Sequence, residues 1–172
     1  MTTQMETDAS LLEGVDATSI HRTVNGVRLH VVTAGPEDGP LVVLLHGFPD
    51  FWYGWHHQIP ALVDAGYRVV VPDQRGYRSE RGSTRTAGVR SGSTCDRHCD
   101  PHRHRGADSA HVIGHDWGAG VAWNLALRRP ESVETLGILD APSPRLPGHS
   151  HLESRQLARS WYMLGMPDTD RA

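Results

Sequence analysis

Between a short apolar run and a helical stretch lies Gly114-His115-Asp116-Trp117-Gly118. Small residues two before and two after a central position permit a sharp strand-to-helix turn that lifts one side chain above a sheet. The lifted side chain here is a carboxylate. A carboxylate attacking carbon forms an ester, which suits opening an epoxide or displacing a halide. Asp116 could equally cap a helix N-terminus, where Asp accepts a backbone hydrogen bond and meets a favourable helix dipole. The motif alone does not choose. A second candidate is His46-Gly47-Phe48-Pro49, also directly after an apolar run. A tight turn there leaves a backbone N–H free to point into a cleft. The N–H groups of Phe48 and Trp117 could together bind an oxyanion during ester hydrolysis, each worth about 3–4 kcal/mol. An ordinary Gly-Pro turn, with Gly47 serving only geometry, explains the same four residues. A third cluster, Cys95, Cys99, His102 and His104, offers four zinc-donor side chains. Its spacing fits no common finger and nothing hydrophobic surrounds it, so no metal is expected. Phe51, Trp52, Tyr53 and Trp55 could line a substrate pocket or pack a loop, and His56 and His57 read as a solvated helix face.

Such residues act only if a sheet holds them, and the sequence contains one. Leu41-Val42-Val43-Leu44-Leu45 is continuously apolar, as a parallel strand covered on both faces requires. Residues 67–71, ended by Pro72, read as a second buried strand, residues 110–113 as a third short apolar strand, and Val133–Leu139 as a fourth strand. Upstream, residues 20–24 and Val27–Ala34 are β-branched and alternating around Asn25-Gly26, a strong hairpin signal because both turn residues tolerate positive φ. Helices are expected over residues 55–65, with Ile59, Leu62 and Val63 on one side, and over residues 119–129, stopped by Pro130; residues 156–164 begin another. Alternating strands and helices predict an α/β fold with a mostly parallel sheet and helices on both faces, opened by an antiparallel hairpin.

Composition narrows the setting. The 172 residues suffice for one domain with a real core, although 38% apolar content and a mean hydropathy of −0.44 are low for a compact α/β enzyme. A net charge of −3 predicts no general attraction to nucleic acid or anionic membranes. No stretch approaches the ~20 apolar residues of a membrane span. The polar, acidic N-terminus does not resemble a targeting peptide, so a soluble cytoplasmic protein is expected. Cys95 and Cys99 lie too close together to suggest a disulfide framework.

Two separated segments carry a family resemblance. HGFPDFWYGWHHQIPALVDAGYRVVVPDQRGY, residues 46–77, and HVIGHDWGAGVAWNLALRRPE, residues 111–131, resemble bacterial and archaeal epoxide hydrolases of the α/β-hydrolase superfamily. The likeness covers about residues 23–77 and 108–144, with the motifs in the family's order on the expected elements. It implies that Asp116 is the nucleophile and that the N–H groups of Phe48 and Trp117 form the oxyanion hole. Trp52 and His46 would face the substrate, and His46 with Asp73-Gln74-Arg75-Gly76 would shape the site; Gly47, Pro49, Gly114 and Gly118 would supply the turns. The implied substrate is a small-molecule epoxide, with no cofactor or metal. Phe48 stands where haloalkane dehalogenases usually carry a halide-binding Asn, which makes a dehalogenase the weaker alternative. Trp117 stands where fluoroacetate dehalogenases tend to carry Arg.

The sequence also departs from that family. The family's His base, its acidic partner and the cap tyrosines come from later elements, none matched before Ala172. His149, His151 and Tyr162 match none of these roles. The expectation is therefore a truncated α/β-hydrolase fold lacking its last strands and cap domain, with a chain alkylated once but unable to turn over. A non-catalytic remnant or binding protein of the same fold is the alternative. The expected organisation is a flexible lead-in over residues 1–18, a partial core over 19–142, and over 143–172 a loop and the start of a helix leading into the cap. Residues 80–106 contain no Leu, Ile, Met, Phe, Tyr or Trp and offer no apolar face, so disorder is expected there. Correct length and wrong composition, in a chain whose 17 basic residues are all Arg, match a compensated reading-frame shift in a GC-rich gene. With later strands missing, Val133–Leu139 would be an open edge suited to self-association.

Overall fold

A computed structural model describes residues 12–24, 27–74 and 109–143. The expectations for residues 80–106, for the Cys95/His104 cluster, for Asn25-Gly26 and for the chain beyond residue 143 lie outside them. The described elements are β1 (Ala17–Val24), β2 (Val27–Ala34), β3 (Leu41–Leu45), a 3-10 turn (Trp52–Trp55), α1 (Gln58–Asp64), β4 (Arg68–Pro72), β5 (Ala110–His115), α2 (Trp117–Arg128), a 3-10 turn (Pro130–Ser132) and β6 (Val133–Leu139). The strands form one six-stranded sheet in the order β1-β2-β4-β3-β5-β6. β1 and β2 pair antiparallel, with Val24 opposite Val27, and β2 pairs antiparallel with β4. From β4 through β3 and β5 to β6 the pairing is parallel. The expected hairpin forms and sits at one edge of the described sheet.

Alternation along the central strands divides the core in two. Leu41, Val43 and Leu45 of β3 face one side with Val70, Val112 and the α2 residues Ala122 and Leu125. Val42 and Leu44 face the other with Val69, Val71, Trp52, Trp55 and the α1 residue Ile59. Every residue of β3 is buried, which is why it reads as unbroken apolar sequence. Burying each such side chain contributes about 1.5–3 kcal/mol.

Two expectations need correction. The helix expected over residues 55–65 divides into the 3-10 turn and a shorter α1, with Pro60 near its start, where its missing N–H costs nothing. The lead-in expected to be flexible to residue 18 is packed from Leu12, which is buried beside Val32 and Trp52. β6 is the other edge of the described sheet; each of its residues is half-buried or exposed, and α2 covers one face. Among the described residues no helix is long and apolar enough to cross a membrane, and no group of three side chains is arranged to hold a metal ion.

Candidate active site

At the C-terminal ends of β3, β4 and β5, three chain segments converge. β5 runs into Asp116, and α2 begins at the next residue. Asp116 has φ 51° and ψ −116°, a left-handed conformation that costs a non-glycine residue about 1–3 kcal/mol and persists only where surroundings impose it. Those surroundings are backbone. A Cβ on Gly118 would run into the carbonyl oxygens of Leu45 and His46, and one on Gly114 would lie 2.7 Å from the Gly118 carbonyl carbon. α2 can start this close to the sheet only with glycine at both positions. The Asp116 N–H donates to Leu139 O (3.2 Å), and the Asp116 carbonyl accepts from the Ala119 N–H (3.1 Å), so the bend is tied to β6 on one side and α2 on the other.

The Asp116 side chain does not cap α2. It turns the other way, and Oδ1 accepts a hydrogen bond from the Phe48 N–H at 3.0 Å. The helix-cap reading of Asp116 has no bond to support it here. Gly47 makes the approach possible, since a Cβ there would stand 2.6 Å from the Asp116 Cβ. Trp117 is the first residue of α2, so its N–H has no acceptor within the helix, and the helix end lays partial positive charge beside the carboxylate. Phe48, Trp117 and Leu139, whose backbones flank or bond Asp116, are 50%, 42% and 44% exposed.

The turn carrying Phe48 is closed by the Asp50 N–H donating to Gly47 O (3.1 Å), with a cis peptide before Pro49. His46, expected to face substrate, is 1% exposed and works as a strut instead. Its Nδ1 lies 2.9 Å from Gly47 O, its Nε2 accepts from the Gln74 N–H (2.9 Å), and its carbonyl accepts from the Gln74 side-chain amide. Trp52, expected to line the pocket, is fully buried in the α1-side core, and its N–H donates to Asp73 Oδ1 (2.8 Å). Phe51, 36% exposed, is the more open of the two aromatic neighbours. Asp73 and Gln74 do shape the site, through backbone and His46.

His30 and Ser19 escaped the sequence reading. His30 Nδ1 lies 2.8 Å from Asp73 Oδ2, and its Nε2 lies 2.6 Å from Ser19 Oγ, all three side chains being buried. The one signal was a histidine in the strongly β-forming stretch Val27–Ala34, on the core-facing alternation shared by Val32 and Ala34.

Comparison with known proteins follows the same lines. The model of the alpha/beta hydrolase fold family matches residues 40–172. The chain is 51% identical over 122 residues to AB hydrolase superfamily protein YfhM of Bacillus subtilis, covering 71% of this chain and 43% of that protein. It is 44% identical over 162 residues to epoxide hydrolase B of Mycobacterium tuberculosis, covering 83% of this chain and 45% of that protein. Among solved structures, epoxide hydrolase VrEH1 from Vigna radiata superposes with a TM-score of 0.68 at 34% identity, over 88% of this chain and 47% of that one. The chain thus spans a little under half the length of these relatives.

Proposed function

The chain belongs to the α/β-hydrolase fold family and is epoxide-hydrolase-like, and on that premise we propose that Asp116 is the nucleophile of an epoxide-opening reaction. The observation carrying this reading is the Phe48 N–H donating to Asp116 Oδ1 from a residue at positive φ with no capping bond. A carboxylate held by one oxygen presents the other. In this reading Oδ2 attacks an epoxide carbon, the carbon–oxygen bond of the ring breaks, and the ring oxygen leaves as an alkoxide that takes a proton from an acid. The product is a hydroxyalkyl ester whose carbonyl oxygen is Oδ1. Water then adds to that carbonyl, and the negative charge develops on the atom already facing Phe48 N–H. The Trp117 N–H is the second donor, and collapse releases a diol and restores the carboxylate. Donors set in advance at the developing charge are the largest contribution such a site makes, about 3–4 kcal/mol each.

The second half of this cycle needs a base to activate water. His46 and His30 have both ring nitrogens engaged, by Gly47 and Gln74 and by Asp73 and Ser19. Neither can serve without dismantling the structure around it. From the described residues we therefore assign the alkylation step and not the hydrolytic one. The test follows consumption of a small aromatic epoxide, and any release of diol, by the 172-residue chain and by Asp116→Asn. One equivalent or less consumed per chain, abolished in the variant, is expected. Repeated turnover would refute the assignment of a single step, and consumption unchanged in Asp116→Asn would refute the nucleophile.

A further inference from the structure

The Phe48 N–H belongs to the peptide group whose carbonyl is Gly47 O. A trans peptide is a rigid plane with its N–H and C=O pointing in opposite directions, so whatever holds the carbonyl aims the amide. Gly47 O is held by two donors, the Asp50 N–H at 3.1 Å and the His46 ring at 2.9 Å. A carbonyl can only accept, which puts the His46 proton on Nδ1. The Gln74 N–H can only donate, which requires a bare Nε2. The two partners therefore impose one tautomer, and it is the one that grips Gly47 O. The Gln74 side-chain amide also donates to the His46 carbonyl, fixing the ring and the backbone of the same residue. His46 and Gln74 are 1% and 6% exposed, so these bonds form where water cannot replace them.

We propose that Gln74 is a positioning residue for the oxyanion-binding amide, acting through His46 on the Gly47–Phe48 peptide. The proposal rests on the reading of Phe48 as an oxyanion donor and supplies what aims it. Asp73, next in the chain, secures the far side of the same turn through Trp52 N–H and is itself fastened to β2 by the His30 ring and the His30 carbonyl (2.9 Å). Two consecutive residues after β4 thus hold both flanks of a loop that has no regular structure of its own.

Phe48 and Phe51 are the two phenylalanines of the chain, so labelling with ¹⁵N-phenylalanine reports two amides in a proton–nitrogen spectrum. Phe51 N–H donates to Asp50 Oδ1 (2.8 Å) and stands outside the relay, which makes it the internal control. Asp116→Ala identifies the shift of a Phe48 amide deprived of its carboxylate. Gln74→Met keeps side-chain length and removes the donor. It is expected to move the Phe48 signal toward the Asp116→Ala position and speed its solvent exchange about tenfold, the equivalent of one net hydrogen bond, with Phe51 unmoved. An unchanged Phe48 signal overturns the proposal. If both signals collapse through unfolding, His46 variants decide. His46→Asn retains a donor the same number of bonds from Cβ as Nδ1 and should keep Phe48 aimed, whereas His46→Leu should not. Equal behaviour of those two variants overturns the relay. None of these readouts needs an epoxide, so absence of alkylation by styrene oxide would count against the proposed reaction and leave the aiming of Phe48 to be judged by its amide.

Discussion

The two halves of the site are aimed by different means. The elbow at Asp116 is held sterically: glycines at 114 and 118 let α2 press against β3 and β5, and the backbone is forced into a left-handed conformation. The turn at Phe48 is held by buried hydrogen bonds running from Asp73 and Gln74 into its two flanks. Steric holding tolerates no added atom. Hydrogen-bonded holding tolerates added atoms better than a lost partner, because a donor stranded away from water costs its full desolvation. The site joins a stiff half that presents charge to an adjustable half that receives it.

The largest effect should come from the hydrogen-bonded half. Asp73→Ala strands the Trp52 N–H and the His30 ring donor together, at about 2 kcal/mol each. Denaturant unfolding should show a loss of about 4 kcal/mol, and a loss under 1 kcal/mol would mean that the network is ornamental. Gly118→Ala drives a methyl into the carbonyls of Leu45 and His46, a clash with backbone that no rotamer relieves. About 3 kcal/mol is expected, at the upper end for overpacking. If this variant is neutral, α2 is not pressed against β3 as described. The smallest effect has the opposite sign. Asp116→Gly removes the penalty of a side chain at φ 51° and should raise the unfolding free energy by about 1 kcal/mol, while ending any reaction with epoxide. A destabilised Asp116→Gly would show that the carboxylate steadies the fold more than the bend strains it.

These contrasts mark what was legible in the sequence. The strands announced themselves because β3 is buried at every position and unbrokenly apolar, because β4 and β5 carry the apolar runs Val69-Val70-Val71 and Val112-Ile113, and because the Gly-x-Asp-x-Gly spacing has few other uses between strand and helix. β6, which carries Glu134 and Thr135 among its apolar residues, lies half-open at the edge of the described sheet. Trp52 and His46 were misplaced. An aromatic or a histidine beside a nucleophile reads as lining a pocket, but the phase of the 3-10 turn sends Trp52 inward, and Gln74, 28 residues on in the chain, claims the His46 ring. The His30–Asp73 pair spans 43 residues and two strands that meet only once the sheet is assembled. Non-local polar pairing leaves almost no trace in sequence.

The central claim is that the carboxylate of residue 116 carries the chemistry, and its most direct test is to locate the bond it forms. The chain is treated with a small aromatic epoxide, digested at acid pH to preserve esters, and the modified peptide sequenced by tandem mass spectrometry. One adduct, on Asp116, is the result this account predicts. An adduct confined to other nucleophiles, with the peptide around Gly114–Gly118 unmodified, would contradict it.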